Sequence, residues 1–455
     1  MTSPSTTRPA TADIRNLFAQ RSHWQSWLEI EAALAETQAG LGMIPAAAAA
    51  EIARKASFEH VDAAALAADM ARTRAPIVSL VRALARACEG DAGGYVHWGA
   101  TTQNVMLTAR TLQMRRAHEA FMAKLGDVLL KLAGLADEGA DMLTAGRTNF
   151  RQGLPITFGF KAAAWIEEFL RHQQRFEGAE PRVFASLWGG ALGAMHASGE
   201  QGAELNRRLS ARLGLTALAV PSRAGTDYIA EYILLLALFS ATCSKIARDL
   251  YMLMADETGE VYEIQSDEVI GSSTMPNKVN PKAVVEVIAL AARLRAMTPL
   301  ALEAMQPTHE GDAANNQMLY TLIDQACPLA YELVCAMDAL LACLGLAPGN
   351  MRRNMESSGQ AIAAENAMMV LAPAIGRTQA YDLVKHAIAE AARRGAPLAD
   401  LLLEDATVAG AVDDATLRAA LDPAAYTGCS AEMARSMAGS ARSAAARLTG
   451  HRAPA

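Results

Sequence analysis

The amino-acid sequence predicts an all-α protein built around a bundle of unusually long helices. Good helix formers (alanine, leucine, methionine, glutamate and arginine) fill most windows, and alternating β-branched runs are scarce. Four stretches, 112–140, 229–264, 283–305 and 315–346, keep helical spacing well beyond the roughly 12 residues of an average helix, the last interrupted only by Pro328. Several are apolar on more than one face, so each must bury against several neighbours. A long central bundle continued across subunits is the economical arrangement.

Three regions follow along the chain. Residues 1–105 hold shorter helices ended by glycine and proline, as in the "GLGMIP" stop at Gly40–Pro45. Residues 106–346 form the long-helix core. Residues 347–455 open at "APGNM" and return to short helices with a polar, Ala/Arg-rich tail.

Bulk properties narrow the partners. The 455 residues are 52% hydrophobic and carry a net charge of -7 with both signs interspersed, so no basic face or tail invites nucleic acid. The N-terminal "MTSPSTTRPATADIRNLF" lacks the apolar centre of a signal peptide. The run "YILLLALFSATCSKIARDL" is broken by polar residues before the ~18 positions of a membrane span. Six scattered cysteines without a CxxC pattern read as thiols of a cytoplasmic protein, and the nine histidines form no metal-binding pattern.

One segment departs from the helical text: Gly271–Lys282, "GSSTMPNKVNPK". Taken singly its residues are ordinary. Asn280 before Pro281 reads as a helix cap, Lys278 as a surface lysine, and the glycine with two serines as a linker. Together they suggest chemistry. A glycine-containing turn lets backbone amides converge on an oxyanion, so a serine placed there ionises more easily and can act as a base. Lys278 and Asn280 add a cation and an amide donor suited to a carboxylate.

"GSSTMPNKVNP" resembles the signature loop of the fumarase/aspartase superfamily, GSSxMPxKxNP. "YVHWGATTQNVMLTA" (Tyr95–Ala109) looks like that superfamily's first signature, and "AGRTNFRQGLPITFG" (Ala145–Gly159) its second, usually GRTHxQxAxPxTxG. "GGALGAM" and "DPAAYTG" are similar to segments of 3-carboxy-cis,cis-muconate cycloisomerases, and the cycloisomerase and adenylosuccinate lyase branch is the nearest. The resemblance covers roughly residues 10–435.

That resemblance implies a three-domain α fold and a homotetramer with a central bundle, its active sites built from three subunits. The implied reaction removes a proton beside a carboxylate and eliminates a β substituent, with no metal or organic cofactor. By position, Ser272 matches the base, and Lys278 and Asn280 match the holders of the carboxylate whose aci form is the carbanion intermediate. Thr101, Thr102 and Gln103 match substrate-binding groups of the first signature, and Thr148 a substrate-contacting threonine of the second. Thr73, in "ARTRAP", is a further candidate. His97 and His309 are candidate acids or substituent binders.

The departures point to a different substrate. Asn149 stands where histidine is usual and cannot titrate. Arg151 stands for glutamine and adds a positive charge. Val279 replaces an arginine of the nearest branch, Asn104 the usual aspartate, and Gly311 a common arginine after His309 and Glu310. The expected function is a cofactor-independent lyase. It releases fumarate from a di- or tricarboxylate, a substituted succinate with an amine, nitrite or similar leaving group. A carboxymuconate-type cycloisomerase is the alternative. A catalytically inactive structural relative is the reading from another class, and intact Ser272, Lys278 and Asn280 argue against it.

Overall fold

The computed structural model describes residues 9–266 and 268–450. Helix dominates as expected, and among the described residues strands occur only as three two-stranded ladders. The long helices are Thr102–Glu138, Phe158–Val183, Asp227–Leu253 and Ala313–Ala342, of 37, 26, 27 and 30 residues.

Two of the helical stretches end or divide differently from the sequence expectation. The helix read over 229–264 stops at Leu253, because the chain turns through Gly259 at φ +57° and enters the strand Val261–Glu263. The stretch 283–305 divides into Ala283–Arg295 and Thr298–Ala304, with Pro299 in the first turn of the second helix, where its missing N–H is tolerated. Pro328 lies inside Ala313–Ala342 without ending it. The hairpin of Leu143–Thr148 and Arg151–Thr157 has no counterpart in the all-helical reading.

The described chain divides into two compact units. Among the described residues the first comprises 9–124, 172–243 and 289–335. Its core holds an aromatic cluster in which Phe121 meets Phe176 and Phe239 edge-on, at centroid separations of 5.2 and 5.0 Å. His118 sits in the same cluster, 3.2 Å from the Tyr232 hydroxyl, as a hydrogen-bonded core histidine.

The second unit comprises, among the described residues, 125–171, 244–266, 268–288 and 336–450. The helices Ala364–Ile375, Arg377–Arg394 and Leu398–Leu403 close over Leu371, Leu402, Val408 and Leu417. In the same unit the carboxylate of Glu260, 1% exposed, accepts from the guanidinium of Arg147 (Nη1 at 2.9 Å), from Asn354 Nδ2 at 2.9 Å and from Thr144 Oγ1 at 3.3 Å. A buried charge is tolerable only with such partners, so Arg147 pins the hairpin down.

Asp227–Leu253 and Ala313–Ala342 are long and apolar enough to cross a membrane by length and composition, so the expectation that no run reaches that length fails. Most of each apolar stretch is nevertheless buried inside the protein, as in a core helix. Several large apolar side chains on these and neighbouring helices stay exposed, among them Leu130, Leu238, Tyr251 and Met252.

Candidate active site

In the second unit the loop Gly271–Lys282 is held by its own polar groups. Asn280 Nδ2 donates to the Gly271 carbonyl at 2.7 Å, closing the loop across nine residues. Gly271 is required there, since a Cβ at that position would lie 2.2 Å from the Lys278 carbonyl oxygen. Ser272 Oγ accepts from the backbone amides of Thr274 (3.3 Å) and Met275 (3.1 Å), so the half-buried hydroxyl oxygen sits in a small nest of donors. Lys278 is exposed and makes no ion pair among the described residues.

Asn280 is not the helix cap its place before Pro281 suggests. The helix starts at Ala283, and Glu263 from the strand Val261–Glu263 takes the leading amides, those of Lys282, Ala283 and Val284, at 2.6, 3.2 and 2.8 Å. A carboxylate at a helix N-terminus satisfies orphan donors and complements the helix dipole. The asparagine amide is thereby left to shape the loop.

The second signature forms the hairpin, with Thr148 opposite Arg151 and a two-residue turn at Asn149–Phe150. Both turn residues are left-handed, at φ +50° and +61°. Asparagine suits that conformation, whereas phenylalanine there is strained and is 86% exposed. Thr148, Asn149 and Arg151 are likewise exposed. Among the described residues no hydrogen bond joins this hairpin to the Ser272 loop.

The remaining candidates lie in the first unit. His97, at φ +63°, places Nδ1 2.6 Å from Oε1 of Glu31, which is 1% exposed. His309 is also left-handed, at φ +53°, and exposed. Strained backbone of this kind clusters at functional sites. Thr101 is half-buried and Thr102 exposed, at the start of Thr102–Glu138. The Thr73 hydroxyl is engaged by Ser79 Oγ at 2.9 Å.

Two first-signature residues behave differently from their reading. Asn104 is fully buried: its Oδ1 accepts from Thr101 N at 3.2 Å, and its Nδ2 donates to the Leu187 carbonyl at 3.0 Å. It is the third-position partner of a helix cap and does not face a substrate. Gln103 is 2% exposed with its amide already engaged: Nε2 donates to Asn316 Oδ1 (2.9 Å) and the Arg223 carbonyl (3.2 Å), and Oε1 accepts from Arg223 Nε at 2.6 Å.

Arg223 is thus the partner of a first-signature residue, a pairing that the sequence did not single out. Its Nη1 donates to the Ala191 carbonyl at 2.6 Å, and a Cβ on Gly311 would lie 3.1 Å from its Nη2. The glycine after Glu310 leaves room for this guanidinium. The sequence showed only that a common arginine is missing at 311. Only the tertiary structure brings the two positions together.

Comparison with known proteins identifies the family. Residues 6–295 match the family model described as "Lyase", and residues 360–437 the one described as "Adenylosuccinate lyase C-terminus". The adenylosuccinate lyase of Methanothermobacter thermautotrophicus is 36% identical over 94% of this chain and 96% of its own. The chain belongs to the fumarase/aspartase superfamily. Other relatives show the breadth of this superfamily. An N-acetyl-S-(2-succino)cysteine lyase of Enterococcus italicus is 33% identical over 93% of each chain. The crystal structure of 3-carboxy-cis,cis-muconate lactonizing enzyme from Pseudomonas putida superposes with a TM-score of 0.84 at 30% identity, covering 96% of this chain and 98% of the other. This superfamily member is thus an enzyme, a lyase or cycloisomerase.

Proposed function

We propose that the protein is a cofactor-independent lyase that releases fumarate from a substituted succinate. The observation that carries the reading is the pair of backbone amides donating to Ser272 Oγ, an arrangement that stabilises a developing alkoxide. Ser272 takes the proton from the carbon beside a carboxylate, and the C–H electron pair moves into that carboxylate as a dianionic aci form. Lys278 and Asn280 hold that charge. The pair then returns to form the C=C bond as the bond to the β substituent breaks.

His97 supplies the proton to the departing group, with its ring oriented by Glu31, and His309 is the second candidate for that step. Thr101, Thr102 and Thr148 hold the second carboxylate, and Thr73 shapes the wall beside them. Gln103 orients Arg223 and does not bind substrate itself.

The protein acts in the cytoplasm as a homotetramer whose active sites are shared between subunits. Support comes from the exposed Leu130, Leu238, Tyr251 and Met252 on long helices, which a neighbouring copy would cover. Light scattering at micromolar concentration tests this, and a monomer would count against the shared site.

The decisive experiment incubates purified enzyme with fumarate and a panel of amines, thiols and nitrite, following loss of the fumarate absorbance and identifying the adduct. A cycloisomerase is the second reading, favoured by the likeness to the lactonizing enzyme. It predicts lactone from 3-carboxymuconate and no addition to fumarate.

A further inference from the structure

The first unit contains a cavity that none of the proposed catalytic or substrate-binding residues lines. Its volume is about 590 Å³, and its walls include Trp24, Trp27, Met70 and Met106, with Arg74, Arg110 and Asp324 as its charged groups. The cavity is large enough for a small organic molecule, and its aromatic walls suit a flat apolar body.

Its polar groups are unevenly satisfied. Arg110, 6% exposed, is held on one edge by Asp324, through Nε at 3.2 Å and Nη2 at 3.1 Å, and its guanidinium carbon lies 4.2 Å from the Tyr320 ring centroid. Its Nη1 is buried and has no hydrogen-bond partner. The indole Nε1 of Trp27, a residue 4% exposed, is buried and unpartnered as well. Both orphans are donors, and buried donors are seldom left unpaired.

Charge points the same way. His23 places Nε2 3.3 Å from Asp324 Oδ2 while its Nδ1 meets Gln113 Oε1 at 2.9 Å, so Asp324 is shared between His23 and Arg110. Arg74, in the left-handed conformation at φ +52°, lines the mouth exposed and without an ion pair among the described residues. Two guanidiniums and a single carboxylate, which is already shared between His23 and Arg110, thus line the cavity.

We infer that this cavity is a second ligand site, separate from the lyase chemistry, for a small carboxylate with a flat apolar body. The carboxylate accepts from Arg110 Nη1 and Trp27 Nε1 while Arg74 closes over it, and the apolar body lies between the tryptophans and the methionines. A ligand bound there has access to Thr102–Glu138 and Ala313–Ala342, the helices that carry Arg110 and Asp324.

The test uses benzoate as the probe and benzamide as its uncharged counterpart, with titration calorimetry, tryptophan fluorescence and thermal shift on the full chain. Benzoate is expected to saturate at one site per chain with a Kd on the order of 1 mM or tighter and to raise Tm, with benzamide at least about tenfold weaker. Trp27→Phe keeps the wall and removes the donor, and should weaken benzoate about fivefold, the equivalent of one hydrogen bond. Arg74→Gln, on the surface and neutral for folding, should weaken it about threefold at low salt. Lys278→Met should leave benzoate binding unchanged. Absence of saturation, equal affinity for benzamide, full binding in both cavity variants, or loss of binding in Lys278→Met would each overturn the proposal.

Discussion

His97 Nδ1 lies 2.6 Å from Oε1 of Glu31, a carboxylate 1% exposed and 66 residues away in the chain. The other Glu31 oxygen has no partner, so the imidazole is the main support of a buried acid. The contact fixes the ring's orientation; in the proposed mechanism Nδ1 donates to the carboxylate and Nε2 serves the substrate. Glu31→Gln should therefore lower kcat about 10- to 100-fold with KM nearly unchanged, as expected when a proton-transfer group loses its orienting charge. His97→Asn should cost at least as much. Steady-state kinetics checks both, and a change confined to KM would make the pair a binding element.

Ser272→Ala should reduce turnover by about a thousandfold or more, ~4 kcal/mol of barrier. Among the described residues the hydroxyl serves two loop amides, so Tm should stay close to wild type. Single-turnover kinetics beside a melting curve separates the two effects. Retention of more than about a tenth of the activity would assign the base elsewhere.

Arg223→Gln should lower kcat/KM about 10- to 100-fold, the range for losing a charged hydrogen bond to substrate. Gly311→Ala should act in the same direction, because its methyl would stand 3.1 Å from Arg223 Nη2 and push the guanidinium aside. If both variants match wild type with the true substrate, Arg223 only braces Gln103.

Arg151 is exposed in the single chain and has no ion pair among the described residues. In the proposed tetramer it meets an extra anionic or strongly polar group of the substrate, its planar fork suiting paired oxygens. Arg151→Gln should then reduce kcat/KM by roughly 2–4 kcal/mol. Simple hydration of fumarate, or its amination to aspartate, should be poor in the wild type. Efficient aspartase or fumarase activity unaffected by the substitution would put Arg151 in solvent.

Asp312 anchors the segment that carries His309. The Thr308 hydroxyl, at 2.9 Å, and the amide of Ala314 hold its carboxyl below the usual range. A depressed carboxyl contributes stability that is present above the ordinary carboxylate pKa and lost as pH falls through the folded value. Asp312→Asn should thus lower Tm at neutral pH and lose less on acidification than wild type. Melting curves from pH 7 to pH 3 would show the two variants converging.

Much of this protein was legible in its sequence because the relevant signals are local. Helix propensity over 30-residue windows and the compact "GSSTMPNKVNP" loop depend on neighbours in the chain, so the all-α fold and the superfamily followed from the text alone. The polar partners were not legible. Glu31 against His97, Arg223 against Gln103, Glu260 against Arg147 and Glu263 over the start of Ala283–Arg295 join residues 19 to 120 positions apart. No spacing rule connects such positions. Desolvation decided those pairings, since a buried carboxylate or amide must find a partner wherever packing has excluded water, and only the tertiary structure determines where that is.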